Sequence, residues 1–157
     1  MADSHVDAKI RQLGLELPMA PPAVGSYIPA VRFGNVIVTS GQLPFVGKEL
    51  PFQGKLGAEL TVEAGGHAAR QALLNALAQI KALIGSLDLV KQVIRLEGYV
   101  QSAAGFVNHP LVLNPASMLL TDIFGDAGKH TRIAVGANEL PLNAAVEIVL
   151  WAEVADA

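Results

Sequence analysis

Arg132 lies in the stretch His130-Thr131-Arg132-Ile133-Ala134-Val135-Gly136. In an extended chain alternate residues face the same way, so Arg132, Ala134 and Gly136 share one side and Ile133, Val135 and Ala137 the other. A cation beside two residues that occupy almost no space leaves room for a small molecule next to the guanidinium. That planar fork can hold a carboxylate through two parallel hydrogen bonds. The chain passes Asn138-Glu139-Leu140-Pro141 and returns as Val146-Glu147-Ile148-Val149-Leu150-Trp151. β-branched residues in both arms predict a β-hairpin, and a turn near Glu139-Leu140 sets Glu147 opposite Arg132. The pair reads either as an ion pair that fixes register or as a carboxylate-binding arginine with an acid/base partner.

A second candidate is Thr39-Ser40-Gly41-Gln42, which follows the apolar run Val36-Ile37-Val38. A strand end that presents a hydroxyl, an unobstructed glycine N–H and an amide can wall a small ligand, although an ordinary strand exit has the same composition. The histidines do not form a metal set: His5, His67, His109 and His130 are scattered, without HxxxH or HxH spacing. No nucleophile elbow, phosphate loop or dinucleotide glycine pattern occurs in the required context, so neither a metal nor an organic cofactor is expected.

Several elements must position these groups. Ser4 to Leu15 suits a short helix, and Pro18-Met19-Ala20-Pro21-Pro22 an extended lead-in. Tyr27–Arg32 and Asn35–Ser40 read as a hairpin turning at Gly34-Asn35. Thr61 caps the clearest helix, whose stripe Ala69, Leu73, Ala76, Leu77, Ile80, Leu83 and Ile84 packs on a sheet while Arg70, Gln71, Asn75 and Gln79 lie elsewhere. Gly85 ends it, and Gly65-Gly66 weakens its first turn. Val90–Val100 alternates as a long central strand, with Val93, Arg95, Glu97 and Tyr99 on one face. A second helix is expected from Pro115 to Phe124 with Asn114 as its N-cap. Strands mixed with helices on one face predict an α+β domain spanning residues 1–157, with residues 1–22 leading into the first hairpin. Apolar residues on both sides of several strands leave the other face of the sheet to be covered by self-association.

The 157 residues are 52% hydrophobic and 16% charged, which excludes disorder. The formal charge of −3 and the thin scatter of Lys and Arg speak against nucleic-acid binding. Without cysteine there is no disulfide, thiolate nucleophile or Cys-ligated zinc. A charged amino terminus and the lack of a long apolar run predict a soluble, cytoplasmic protein with no membrane association.

From about Val24 to Val154 the chain resembles the Rid family of reactive intermediate deaminases, also called YjgF-like and once labelled L-PSP endoribonucleases. The resemblance is carried by Gly25-Ser26-Tyr27, Gly34-Asn35-Val36-Ile37-Val38-Thr39-Ser40-Gly41-Gln42, the alanine-rich helix, and Arg132…Leu140-Pro141…Val146-Glu147-Ile148. It implies a chorismate-mutase-like fold and a homotrimer whose sheets pack inward as a barrel, with ligand sites in clefts between subunits. It also implies roles. Arg132 corresponds to the substrate-carboxylate arginine, Tyr27 to the cleft tyrosine and Glu147 to the acidic residue near the hydrolytic water. Ser40 and Gly41 match the strand-end wall, Asn114 a helix-start asparagine and Phe106 an apolar cleft residue. Many members carry Pro-Ala-Arg-Ser/Thr-Cys/Val where this chain has His130-Thr131-Arg132-Ile133-Ala134, so Ala134 stands where a sulfur would be. The amino-terminal extension through Pro22 and the longer loop before Thr61 resemble a longer-chain branch. The activity implied is hydrolysis of enamines and imines such as 2-aminoacrylate to 2-keto acids and ammonia. A non-catalytic trimer that binds small carboxylates or partner proteins is the alternative.

Overall fold

The computed structural model describes residues 4–156. Its elements are α1 (His5–Gln12), β1 (Ala30–Phe33), β2 (Val36–Thr39), α2 (Val62–Ile84), β3 (Val90–Gln101), α3 (His109–Phe124), β4 (Thr131–Ala137) and β5 (Val146–Val154). The strands form one sheet in the order β1-β2-β5-β3-β4. β3 and β4 run parallel, and the other neighbours are antiparallel. α2 and α3 pack together across one face, where Val146, Ile148, Leu150, Ala152 and Val154 are all buried. Among the described residues no helix is long and apolar enough to cross a membrane.

Local chemistry accounts for most of these boundaries. Thr61 caps α2 by accepting the Ala64 N–H, and Gly85, at φ 87°, closes it by donating its N–H to the Lys81 carbonyl. Ser4 caps α1 in the same way through the Asp7 N–H. Gly65 and Gly66 have a packing role at the start of α2. A Cβ on Gly65 would run into Leu56 and Val112, and one on Gly66 would press on Pro115, so their absence lets α3 approach closely.

Three expectations are corrected. β4 and β5 are not a hairpin, because β5 inserts between β2 and β3 while β4 lies on the far side of β3. Leu96 pairs with Arg132 and Tyr99 with Glu147, so Arg132 projects with buried Leu96 towards the helices and Glu147 with Tyr99 from the opposite face. α3 begins six residues before Pro115, after Asn108, with Pro110 in its first turn; Asn114 is an interior residue. Finally, Val93 does not share a face with Arg95, Glu97 and Tyr99. A register shift between Val93 and Arg95 turns Val93 into the core, where it is 1% exposed.

The face away from the helices is uncovered. It carries Arg95, Glu97 and Tyr99 from β3, Glu147, Val149 and Trp151 from β5, Ile133 and Val135 from β4, and Val31 and Phe33 from β1. Phe33 is 86% exposed. At the centre of this face the Glu97 carboxylate accepts hydrogen bonds from Trp151 Nε1 (3.1 Å), Arg95 Nε (3.2 Å) and the Tyr99 hydroxyl (3.0 Å). That contact raises the tyrosine's pKa, since its phenolate would face a carboxylate.

Helix-to-sheet contact is closest at Gly98, where an added Cβ would lie inside the Leu113 side chain. Gly98→Ala therefore lowers stability by about 1–3 kcal/mol through overpacking, read as a lower midpoint in urea. Gly98→Ala combined with Leu113→Ala should cost less than the sum of the two single changes, because the smaller side chain makes room for the new methyl.

Candidate functional site

Glu147 opens onto a cavity of about 430 Å³ where β2 leaves the sheet. Its walls come from the extended segment Pro21–Val24, from Tyr27 and Pro29, from Ser40–Leu43, and from Phe45, Gln79 and Pro141. Four of the expected residues, Tyr27, Ser40, Gly41 and Glu147, meet here. The Glu147 carboxylate makes no hydrogen bond with any described residue, and burial pushes its pKa up. Gly41 is required by this arrangement, because a Cβ there would overlap the Glu147 carboxylate. Its N–H also has no acceptor among the described residues.

α2 holds the cavity wall with a polar stripe that its apolar periodicity leaves out. Gln71 donates to the Phe45 carbonyl, and Asn75 to the carbonyls of Leu43 and Phe45. Gln79 donates to the Pro21 carbonyl at 2.6 Å and to Gln42 Oε1 at 3.3 Å. Asn75 and Gln79 are buried, not solvent-facing. Their four-residue spacing on an otherwise alanine-rich helix was a usable signal for a clamp. Leu83, expected in the apolar stripe, is instead exposed.

Arg132 stands apart, on edge strand β4, in an open cleft lined by Ser117, Met118, Thr121, Lys129 and His130. Its Nη1 donates to Asn114 Oδ1 at 2.9 Å and to Ser117 Oγ at 3.2 Å. Nε and Nη2 make no hydrogen bond with described residues, which leaves one edge of the fork available to a carboxylate. Asn114 meets Arg132 from inside the helix. Ser117 and His130 complete the support. The Gly128 carbonyl can only accept, so His130 Nδ1 carries the proton at that 2.6 Å contact. Nε2 then faces the Ser117 hydroxyl at 2.9 Å. His130 braces the guanidinium through Ser117, a role that its position in the sequence does not reveal.

Phe106 and Ala134 belong to neither cleft. Both pack against the hydrophobic core, Phe106 with its ring edge-on to His109 at 5.2 Å between centroids and Ala134 beside Gly98. One chain therefore carries a carboxylate in a cavity and, on the opposite face, a guanidinium in an open cleft. The expected side-by-side pair is not formed within it.

The half-buried, unpartnered Glu147 gives a stability prediction. Its folded pKa lies above the ordinary carboxylate value, so the folded chain holds the proton at a pH where the unfolded chain has released it. The resulting penalty is absent below the ordinary glutamate range and grows as pH rises through the raised folded value. Glu147→Gln is expected to melt above wild type near neutral pH and to lose that advantage near pH 4, as read by thermal unfolding at both values.

A mixed five-stranded sheet backed on one face by helices, with a carboxylate cavity at a strand end and an edge-strand arginine, defines an α+β chain of chorismate-mutase-like architecture. The YjgF/chorismate mutase-like family model, which also carries the label of a candidate endoribonuclease, matches residues 7–154, and the chain belongs to that family. It is 40% identical to Protein TCP17 of Trypanosoma cruzi over 94% of this chain and 93% of that protein. Among solved structures it is similar to Atu1372 of Agrobacterium tumefaciens, described as of unknown function, with a TM-score of 0.89 and 38% identity over 96% of this chain and 92% of that one. The YjgF gene product of E. coli superposes with a TM-score of 0.64 and 26% identity over 85% and 92% of the two chains.

Proposed function

We propose that the protein hydrolyses reactive imines of 2-amino acids, formed from enamines such as 2-aminoacrylate, to 2-keto acids and ammonia. The observation that carries this reading is Glu147, a half-buried carboxylate with no hydrogen-bond donor of its own, facing a cavity large enough for a small organic acid. In a homotrimer the uncovered sheet faces pack against one another, and the Glu147 cavity of one subunit meets the Arg132 edge of its neighbour. Arg132 pairs with the substrate carboxylate and fixes the imine carbon over the cavity. Glu147 takes a proton from water as the oxygen attacks that carbon, which gives a carbinolamine, and returns a proton to the nitrogen. Glu147 then takes the carbinol hydroxyl proton and passes it to the nitrogen, the C–N bond breaks as the C=O bond forms, and ammonia and the keto acid leave. Burial raises the Glu147 pKa, which makes its carboxylate a stronger base than an ordinary glutamate and suits it to taking a proton from water.

On this reading the chain is one domain with residues 1–22 as an extension, needs neither metal nor organic cofactor, and works in the cytoplasm. The proton pair Glu147 and water does the work without the sulfur residue that Ala134 replaces. The same substitution favours the alternative, a trimer that binds carboxylates without turning them over. The deciding experiment is an assay of ammonia and keto-acid release from 2-aminoacrylate generated in the cuvette, with sedimentation of the same preparation. Turnover above the spontaneous rate by a trimer is expected; a pure monomer, or pyruvate binding without turnover, refutes the reading.

A further inference from the structure

The cavity beside Glu147 differs in chemistry along its walls. The side-chain donors of Ser40, Gln42 and Gln79 are consumed by the protein. The Ser40 hydroxyl donates to the Ile28 carbonyl. The Gln42 amide donates to the carbonyls of Ser40 and Gly41, and the Gln79 amide to the Pro21 carbonyl and Gln42 Oε1. Among the described residues the Glu147 carboxylate accepts no hydrogen bond, the adjacent Gly41 N–H has no acceptor, and the Tyr27 hydroxyl, whose oxygen accepts the Val24 N–H, keeps its proton free. The other walls are apolar, with Pro21, Ala23 and Val24 on the amino-terminal strap facing Leu43, Phe45 and Pro141. Gln79 holds the strap through the Pro21 carbonyl at 2.6 Å, and α1 tethers its far end to α2 through Asp7–Lys81 at 2.7 Å.

A second anionic group inside this space would meet the Glu147 carboxylate with no Lys or Arg among the lining residues to offset it, so a substrate carboxylate must stay at the mouth. A methyl group would leave most of the apolar wall against water. We propose that the cavity receives the substrate's side chain, and that the preferred substrates are 2-imino acids with branched aliphatic or aromatic side chains, selected by the strap. This rests on the deaminase reading of the same site and narrows its substrate class.

The test uses the full-length chain in two arms. Imines made in the cuvette by an amino-acid oxidase from alanine, leucine and phenylalanine are compared for kcat/KM. Pyruvate, 4-methyl-2-oxopentanoate and phenylpyruvate are compared for affinity by calorimetry. The leucine- and phenylalanine-derived compounds are expected to win by about tenfold or more in both arms, since each buried methylene favours binding. Ala23→Trp, which adds bulk from the strap, should cut that preference to about twofold or less while pyruvate still binds. Equal or reversed preference, or a preference unchanged by Ala23→Trp, overturns the proposal. If no imine is hydrolysed but the bulky keto acids still bind tightest, the deaminase reading falls and the pocket assignment stands. Turnover without side-chain preference does the reverse, removing the pocket assignment and keeping the deaminase reading.

Discussion

For the proposed imine hydrolysis, Arg132→Ala is expected to lower kcat/KM by about 30- to 4,000-fold and to move the melting temperature by only a few degrees. The size follows from removing one partner of a charge-assisted pair, which costs about 2–5 kcal/mol, at 1.4 kcal/mol per factor of ten. The small thermal effect follows from its position. Arg132 is on an edge strand, and its two hydrogen bonds go to Asn114 and Ser117 on the outer part of α3, each contributing about 1 kcal/mol. Arg132→Lys keeps the charge but not the fork, and the ammonium cannot engage Asn114, Ser117 and a carboxylate in the same geometry, so a loss of about tenfold or more is expected. Ammonia release and scanning calorimetry on the two variants check both halves. Unchanged turnover in Arg132→Ala would remove the guanidinium from the reaction.

Which parts of this architecture were legible in advance depends on the range of the interactions that fix them. α2 was written locally: Thr61, the apolar periodicity and Gly85 lie within one helix, and the structure follows them. The β1–β2 hairpin at Gly34-Asn35 is equally local. The β4–β5 pairing failed because alternation identifies strands but not their neighbours. What separates these strands is the long-range parallel pairing of β3 with β4, together with a turn in which Leu142 and Asn143 take φ near 60°. That turn is held by buried Gln101, whose amide donates to the Gly54 carbonyl and Asn143 Oδ1 while its oxygen accepts the Leu140 N–H at 2.6 Å. No window of sequence contains those three contacts. The start of α3 escapes the sequence for a related reason, since Pro110 and Pro115 are both compatible with a first helical turn and only packing under Gly66 decides between them.

The candidate site divides along the same line. Tyr27, Ser40, Gly41 and Glu147 are gathered by one strand end and its neighbours, so their types were informative before their positions were known. Arg132 and Glu147 were drawn together only by the false hairpin. Their placement on opposite faces of the sheet means that the proposed mechanism requires a second copy of the chain, which would also cover Phe33 and Ile133. The glutamate at the middle of that face fits the same demand. Glu97 is already satisfied by Trp151, Arg95 and Tyr99 of its own chain, so covering it asks for no donor from a partner and avoids stranding a lone charge.

Gly41→Ala is the sharpest probe of Glu147 that leaves Glu147 in the sequence. The backbone at Gly41 is not in the left-handed region, so alanine meets no backbone strain there, and the atoms nearest to its methyl all belong to Glu147. The new methyl would overlap the Glu147 carboxylate and lie 2.7 Å from its Cδ, so the carboxylate must swing away from the Gly41 N–H and from any water held between them. General acid–base assistance contributes about 10²–10⁴-fold, and a loss of about 10²-fold in kcat is expected, with a folded protein of unchanged or slightly raised melting temperature because Glu147 moves towards solvent. The double variant Gly41→Ala/Glu147→Gln separates displacement from general damage. If both single changes act on the same proton transfer, the double variant is no slower than Glu147→Gln alone, whereas independent effects would multiply. Full activity in Gly41→Ala would mean that the carboxylate works from some other position, and the water-activating geometry proposed for this cavity would have to be abandoned.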